Sequence, residues 1–215
     1  MNRNSQEEIQ TTLEQILESL DNPFNANLPD IAAVNLYRMA KERKIWFDLA
    51  VGSNTLEWER MIMLWNMEDQ GKPVEERKPI IIYMFNYGGS FDFDWSFIDM
   101  IDMSVTPVYT VNMGVCASAA ADIFIAGKKR FMAKNARLMI HQGGSGFEGD
   151  ASKVFDNVED YKRQLKKIES FIVSRTHISS RLYKTHEKDD WWLDAAECLK
   201  HGVCDKIIES IEDIL

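Results

Sequence analysis

The segment Pro79-Ile80-Ile81-Ile82-Tyr83-Met84-Phe85 is nearly all apolar, and helical patterns lie on both sides of it in the chain. A strand without polar alternation cannot leave one face in water, so it belongs in a sheet covered on both sides. Ile45-Trp46-Phe47-Asp48-Leu49-Ala50-Val51 and Pro107-Val108-Tyr109-Thr110-Val111 read as further strands of the same kind. Helical stretches separate them: Ile31 to Arg43, a segment holding Leu56, Met61, Ile62, Leu64 and Trp65, and Phe93 to Met103. Strands trading places with helices predict an α/β fold built on parallel strands. At 215 residues the chain has room for one sizeable core.

The second half continues the alternation. Arg137-Leu138-Met139-Ile140-His141-Gln142 predicts a strand ending in a polar pair, followed by the flexible loop Gly143-Gly144-Ser145-Gly146. From Ala151 to Arg175 runs a long helix with Val154, Val158, Tyr161, Leu165, Ile168 and Ile172 on one stripe. It exceeds the average globular helix of about 11–12 residues, so it projects and packs against another subunit or lies along its own domain. A short helix from Ala195 to Lys200, a C-cap at Gly202 and a last strand-like segment from Val203 to Ile208 complete the chain. At the other end, Ile9, Leu13, Ile16, Leu17 and Leu20 form one apolar helical face, and Pro23 and Pro29 mark a linker behind it. The organisation is an amino-terminal extension and linker over 1–30 and one domain over 31–215.

Net charge of −9 and a pI near 5.0 argue against a phosphate-binding surface, so no nucleic acid is expected as partner. The first residues lack the apolar run of a signal peptide, and no stretch is long enough to span a bilayer, which predicts no membrane association and a cytoplasmic location. Cys116, Cys198 and Cys204 have no CxxC spacing and fit reduced thiols. The histidines His141, His177, His186 and His201 show no paired-ligand spacing, so neither metal nor other cofactor is expected.

Ser118 lies in the small-residue run Gly114-Val115-Cys116-Ala117-Ser118-Ala119-Ala120-Ala121, which joins a strand to the amphipathic stretch Asp122-Ile123-Phe124-Ile125. A serine there sits at the amino end of a helix, where free backbone N–H groups stabilise an anion. It is therefore a candidate nucleophile and equally a candidate N-cap. Cys116, two residues away, reads better as a buried structural thiol. His141, at a strand end, offers a base or a structural hydrogen bond. Asp190 precedes two tryptophans that would shield it from water, or caps a helix; Gly88-Gly89 brings backbone N–H groups close to a substrate, or makes a tight turn. Acyl transfer needs a nucleophile, a base, a group that orients the base, and donors for an oxyanion, and these residues can supply all four.

Asn86-Tyr87-Gly88-Gly89, Gly114-Val115-Cys116-Ala117-Ser118, Met139-Ile140-His141-Gln142, Asp190-Trp191-Trp192-Leu193-Asp194-Ala195-Ala196-Glu197 and His201-Gly202-Val203-Cys204-Asp205 together resemble the Clp protease proteolytic subunit (ClpP) family. The matches keep that family's order and similar spacings over roughly residues 31–210. The resemblance implies a spiral ββα superhelix of the ClpP/crotonase type with a long protruding helix, and a serine endopeptidase acting on unfolded polypeptides. Ser118 then matches the nucleophile, His141 the general base and Asp190 the orienting acid, with Asp189 as a rival for that place. The backbone N–H groups of Gly89 and Ala119 match the oxyanion hole. Stacked heptameric rings of identical subunits, joined through the long helix and fed by an AAA+ unfoldase, are implied as well. Tyr87 and Lys134 stand where the family usually has proline, and Ala119 where it has methionine. The amino-terminal end, which in the family forms axial pore loops, reads here as an acidic helix. A crotonase-type acyl-CoA enzyme and a non-catalytic ring-forming scaffold are the competing readings.

Overall fold

The computed structural model describes residues 31–214; the expected helix and linker within 1–30 lie outside the described residues. Between Glu42 and Arg43 the chain divides into two compact units. In the first, helix α1 (Ile31–Lys41) carries Arg38 and Lys41 in its last turn, where cations favour the carbonyl end of a helix. It ends two residues before the expected Arg43, which takes a left-handed φ of 56°.

The second unit is built on one sheet. Strands β1 (Lys44–Phe47), β2 (Ile80–Asn86), β3 (Val108–Ala117), β4 (Lys129–Ala133) and β7 (Lys206–Ile208) lie parallel in the order β1-β2-β3-β4-β7. Ile80, Ile82 and Met84 of β2 are fully buried, and Ile81 and Tyr83 on its other face nearly so, as an unbroken apolar strand requires. β5 (Arg137–Ile140) pairs parallel with the far end of β3, and β6 (Trp191–Asp194) pairs antiparallel with β5. The expected parallel α/β sheet is thus present, with this one antiparallel pairing at its edge. α2 (Thr55–Glu68), α3 (Phe91–Met103), α4 (Ala119–Ala126), α5 (Ala151–Arg175), α6 (Ser180–His186) and α7 (Ala195–Lys200) connect the strands. No described helix is long and apolar enough to cross a membrane.

Three further expectations change. The strand expected over Ile45–Val51 stops at Phe47, and Val51 rejoins the sheet only through a bridge to Gly89. β3 runs six residues past Val111, because the small residues through Ala117 pair with β5. The expected amphipathic helix after Ser118 is instead buried on every side from Ala119 to Ala126, Asp122 included. Thr110 on β3 seats its far end by donating to Phe124 O at 2.7 Å.

Helix α5 covers the predicted span, with Asp150 as N-cap accepting from Lys153 N. Its buried residues, Ile168 and Ile172, both lie in its second half, and Phe155 in the first half is 71% exposed. At the carboxyl end Arg175 reaches Asp102 on α3 at 2.5 Å and Ala126 O on α4 at 3.3 Å.

Arg43 places a buried cation at the entry to β1. Its guanidinium forms two hydrogen bonds to Asp69, one of them 3.0 Å, while Thr106 Oγ1 also donates to that carboxylate at 2.9 Å. Asp69's side chain is 1% exposed. Replacing Arg43 with alanine leaves this carboxylate only Thr106 and the Lys72 ammonium at 2.8 Å, and is expected to cost about 2 kcal/mol of stability in urea unfolding. Arg43 holds the Asp69 carboxyl well below its usual range, so the stabilisation is complete above about pH 4 and fades as pH falls below it. The gap between the Arg43→Ala variant and wild type should accordingly narrow in acid.

Candidate active site

Strand register sets the meeting point of the three candidate side chains. Ala117 pairs with Met139, so Ser118, the next residue of the β3 chain, leaves the sheet beside the end of β5. Ile140 pairs antiparallel with Trp191, which carries the following His141 and the preceding Asp190 to the same end of that pair. His141 Nε2 lies 2.8 Å from Ser118 Oγ, and His141 Nδ1 lies 3.0 Å from Asp190 Oδ1. With Nδ1–H donating to the carboxylate, Nε2 is left to accept from the serine hydroxyl.

Ser118 has φ 56° and ψ −133°, a conformation that costs a non-glycine residue of order 1–3 kcal/mol. Its surroundings hold it there. Its N–H donates to Met139 O at 3.0 Å, and its carbonyl accepts from Ala121 N at 2.7 Å and Asp122 N at 3.3 Å. The side chain makes no capping bond, so the N-cap alternative is not what the structure shows. Cys116 is fully buried and its thiol is pushed well up by burial, which leaves it unreactive beside Ser118.

The glycine pair lies directly against the serine. Gly88 has φ 98°, and a Cβ on it would stand 2.6 Å from Ala117 O and 2.7 Å from Ser118 Cβ. On Gly89 a Cβ would stand 2.1 Å from Val51 O. Only bare backbone fits between these segments. Among the described residues, neither the Gly89 nor the Ala119 N–H is bonded to a protein acceptor. Asn86, buried at the end of β2, fixes the turn: its Oδ1 accepts from Gly88 N at 2.8 Å and its Nδ2 donates to Leu49 O at 2.6 Å.

The tryptophans do not shield Asp190, whose side chain remains 65% exposed. Trp191 stacks on His186 at 4.3 Å, and Trp192 lies under the Arg137 guanidinium at 4.4 Å. Asp189 turns toward His186 instead of His141, and the helix cap considered for Asp190 is made by Asp194, in a capping box with Glu197. Tyr161 on α5 was visible in the sequence only as a stripe residue. Its hydroxyl donates to Gln142 O at 2.9 Å and tethers the segment after His141. The sequence marks Asn86 as the first residue of the Asn86-Tyr87-Gly88-Gly89 motif and as a polar residue closing an apolar strand, and neither signal assigns it this role. Among the described residues, no group of three His, Cys, Asp or Glu side chains is arranged to hold a metal ion.

A serine, an imidazole and a carboxylate joined in this order at the head of a buried helix are the working parts of a serine hydrolase. The family model described as Clp protease matches residues 32–211. The chain belongs to the Clp protease family, and its activity class is that of a serine peptidase. It is 34% identical over 139 residues to the ATP-dependent Clp protease proteolytic subunit 2 of Treponema pallidum, covering 64% of this chain and 70% of that one. The corresponding subunit 2 of Bifidobacterium longum is 27% identical over 182 residues, covering 82% and 84%. In fold it is similar to a mutant of ClpP1 from Listeria monocytogenes, with a TM-score of 0.72 at 22% identity, covering 84% of this chain and 99% of that one.

Removing the Asn86 amide should let the glycine turn drift from Ser118. Asn86→Ala is expected to lower kcat on the order of 10²-fold with a smaller change in KM, as steady-state peptide hydrolysis would show.

Proposed function

We propose that the chain is the proteolytic subunit of a self-compartmentalising peptidase, hydrolysing unfolded polypeptides through an acyl-enzyme on Ser118. His141 takes the Ser118 proton as Oγ bonds to the scissile carbonyl carbon, and Asp190 holds the imidazolium that forms. The Gly89 and Ala119 N–H groups receive the carbonyl oxygen as it becomes an oxyanion. Collapse breaks the C–N bond, and the leaving amine takes the proton from His141. A water then repeats the sequence, passing its proton to His141 and releasing the carboxylic acid and Ser118. Amide hydrolysis by this route consumes only water and needs no cofactor.

The single observation that supports this reading best is the continuous relay of 2.8 Å and 3.0 Å through His141. A scaffold has no use for it, and an acyl-CoA enzyme needs the oxyanion donors without the relay. Residues 31–215 are proposed as the peptidase domain and 1–30 as an amino-terminal extension. Stacked heptameric rings of this chain and delivery of substrate by an AAA+ unfoldase in the cytoplasm are proposed by likeness to the family, with the outer half of α5 as the proposed ring-to-ring contact. Names such as "ATP-dependent Clp protease proteolytic subunit" among the relatives support the same assignment.

Incubation of the assembled protein with a fluorophosphonate is expected to add one adduct per chain, located at Ser118 by mass spectrometry. Ser118→Ala should abolish the adduct and lower kcat by at least about 10⁴-fold. An adduct elsewhere, or full activity in that variant, would overturn the assignment.

A further inference from the structure

Helices α3 and α4 each begin beside one part of the site. α3 opens at Phe91, two residues after Gly89, and α4 opens at Ala119, directly after Ser118. α3 carries Asp92 and Asp94 in its first turn and α4 carries Asp122, and the two helices pack on each other; of the α3 pair only Asp94 is buried. The backbone N–H of Asp94 donates to Ser90 O at 3.0 Å, as that of Asp122 does to Ser118 O. Neither side chain is needed as a cap.

Both carboxyls face the interior. Asp94 is 0% exposed with both oxygens buried and without a hydrogen-bond partner, and Asp122 is 6% exposed. The charges of Asp122 on α4 and Lys167 on α5 both act on Asp94, and the Lys167 ammonium lies 3.7 Å from the ring centroid of Trp95, the residue after Asp94. The charge of Asp122 also acts on Tyr183 of α6, whose buried hydroxyl lacks a partner. Glu169 of α5 and Glu187 beyond α6 bear on Tyr183. Glu59 on α2 reaches α3 at Ser96, 2.7 Å away, and not at the pair.

The Asp94 carboxyl, fully buried with both oxygens unpartnered, cannot stay ionised beside a second buried carboxyl on the helix it packs against. Burial raises both acids above the usual carboxylate range, and a charge on Asp122 raises Asp94 further. We propose that Asp94 and Asp122 share a proton that ties the first turns of α3 and α4 together, setting the distance between the Gly88-Gly89 turn and Ser118-Ala119. They are positioning residues, and the inference rests on Ser118 being the nucleophile. In the protonated pair one carboxyl O–H donates to its neighbour. When the proton leaves to solvent, the carboxylates repel each other and draw in water, and Ser118 is freed to relax from its strained φ. The added negative charge also lies behind the helix start that must stabilise the oxyanion.

The test uses the assembled full-length protein. Wild-type kcat/KM for a short peptide ester should fall along an alkaline limb. Asp122→Asn, which mimics the protonated acid, should move that limb up by about one pH unit or more. Infrared difference spectra between neutral and alkaline pH should show wild type losing the C=O stretch of a protonated carboxylic acid, a band that Asp122→Asn and Asp94→Asn each remove or shift. An alkaline limb unmoved in both variants, or no such band in wild type, overturns the proposal. Should Asp122→Asn fail to assemble, Asp94→Asn and the wild-type band decide the matter. A protein whose Ser118 takes no fluorophosphonate at any pH would instead defeat the peptidase assignment, while the band would still report on the pair.

Discussion

The hydrogen-bonded register that carries Ala117 opposite Met139, and Ile140 opposite Trp191, determines where Ser118, His141 and Asp190 meet. Strand side chains alternate with a period of two, so a one-residue slip of β5 on β3 would turn His141 to the opposite face, and a slip of β6 on β5 would turn Asp190. Side-chain hydrogen bonds of 2.8 Å and 3.0 Å then complete an arrangement that the backbone has already assembled. The strained φ of Ser118 belongs to the same frame. Its cost is offset because Met139, Ala121 and Asp122 engage its backbone at once.

That frame requires the sheet to divide. β3 pairs with β4 through Asn112 and with β5 only from Val115 onward, so the ladder changes partner across Met113 and Gly114. Asn112 bridges the change: its Oδ1 accepts from Gly114 N at 3.0 Å, and its Nδ2 donates to Arg137 O at 3.0 Å. Asn86 does the same where the β2–β3 register shifts after Met84, serving Gly88 N and Leu49 O. A buried peptide group left unpaired costs about 1–3 kcal/mol, so each side-chain amide replaces ladder bonds that the division removes.

Much of this was legible in the chain. The unbroken apolar run in β2 implied a sheet covered on both faces, and the stripe from Val154 to Ile172 marked α5. The motifs around Ser118, His141 and Asp190 brought the candidate residues forward together. What was not legible depended on partners distant in sequence. The ends of β3 follow from its pairing with β5, and the antiparallel placement of β6 has no local signature in Trp191-Trp192-Leu193. Asp122 falls in a segment whose composition suggested one wet face, whereas contact with α3 and α5 leaves it none. The tryptophans' large apolar area suggested a shield for Asp190, yet His186 and Arg137 claim their faces.

Helix α5 is anchored in the core at Ile168, Ile172 and Arg175, while Tyr161, seven residues nearer its outer end than Ile168, packs on Phe91 and holds the carbonyl of Gln142. Mechanically it is a lever with its fulcrum in the core and its short arm attached to the peptide after the imidazole. At a rise of about 1.5 Å per residue, the arm beyond Tyr161 reaches some 15 Å further to Ala151. A small rotation imposed at the outer end is therefore delivered, reduced by the ratio of the arms, to the residue next to His141.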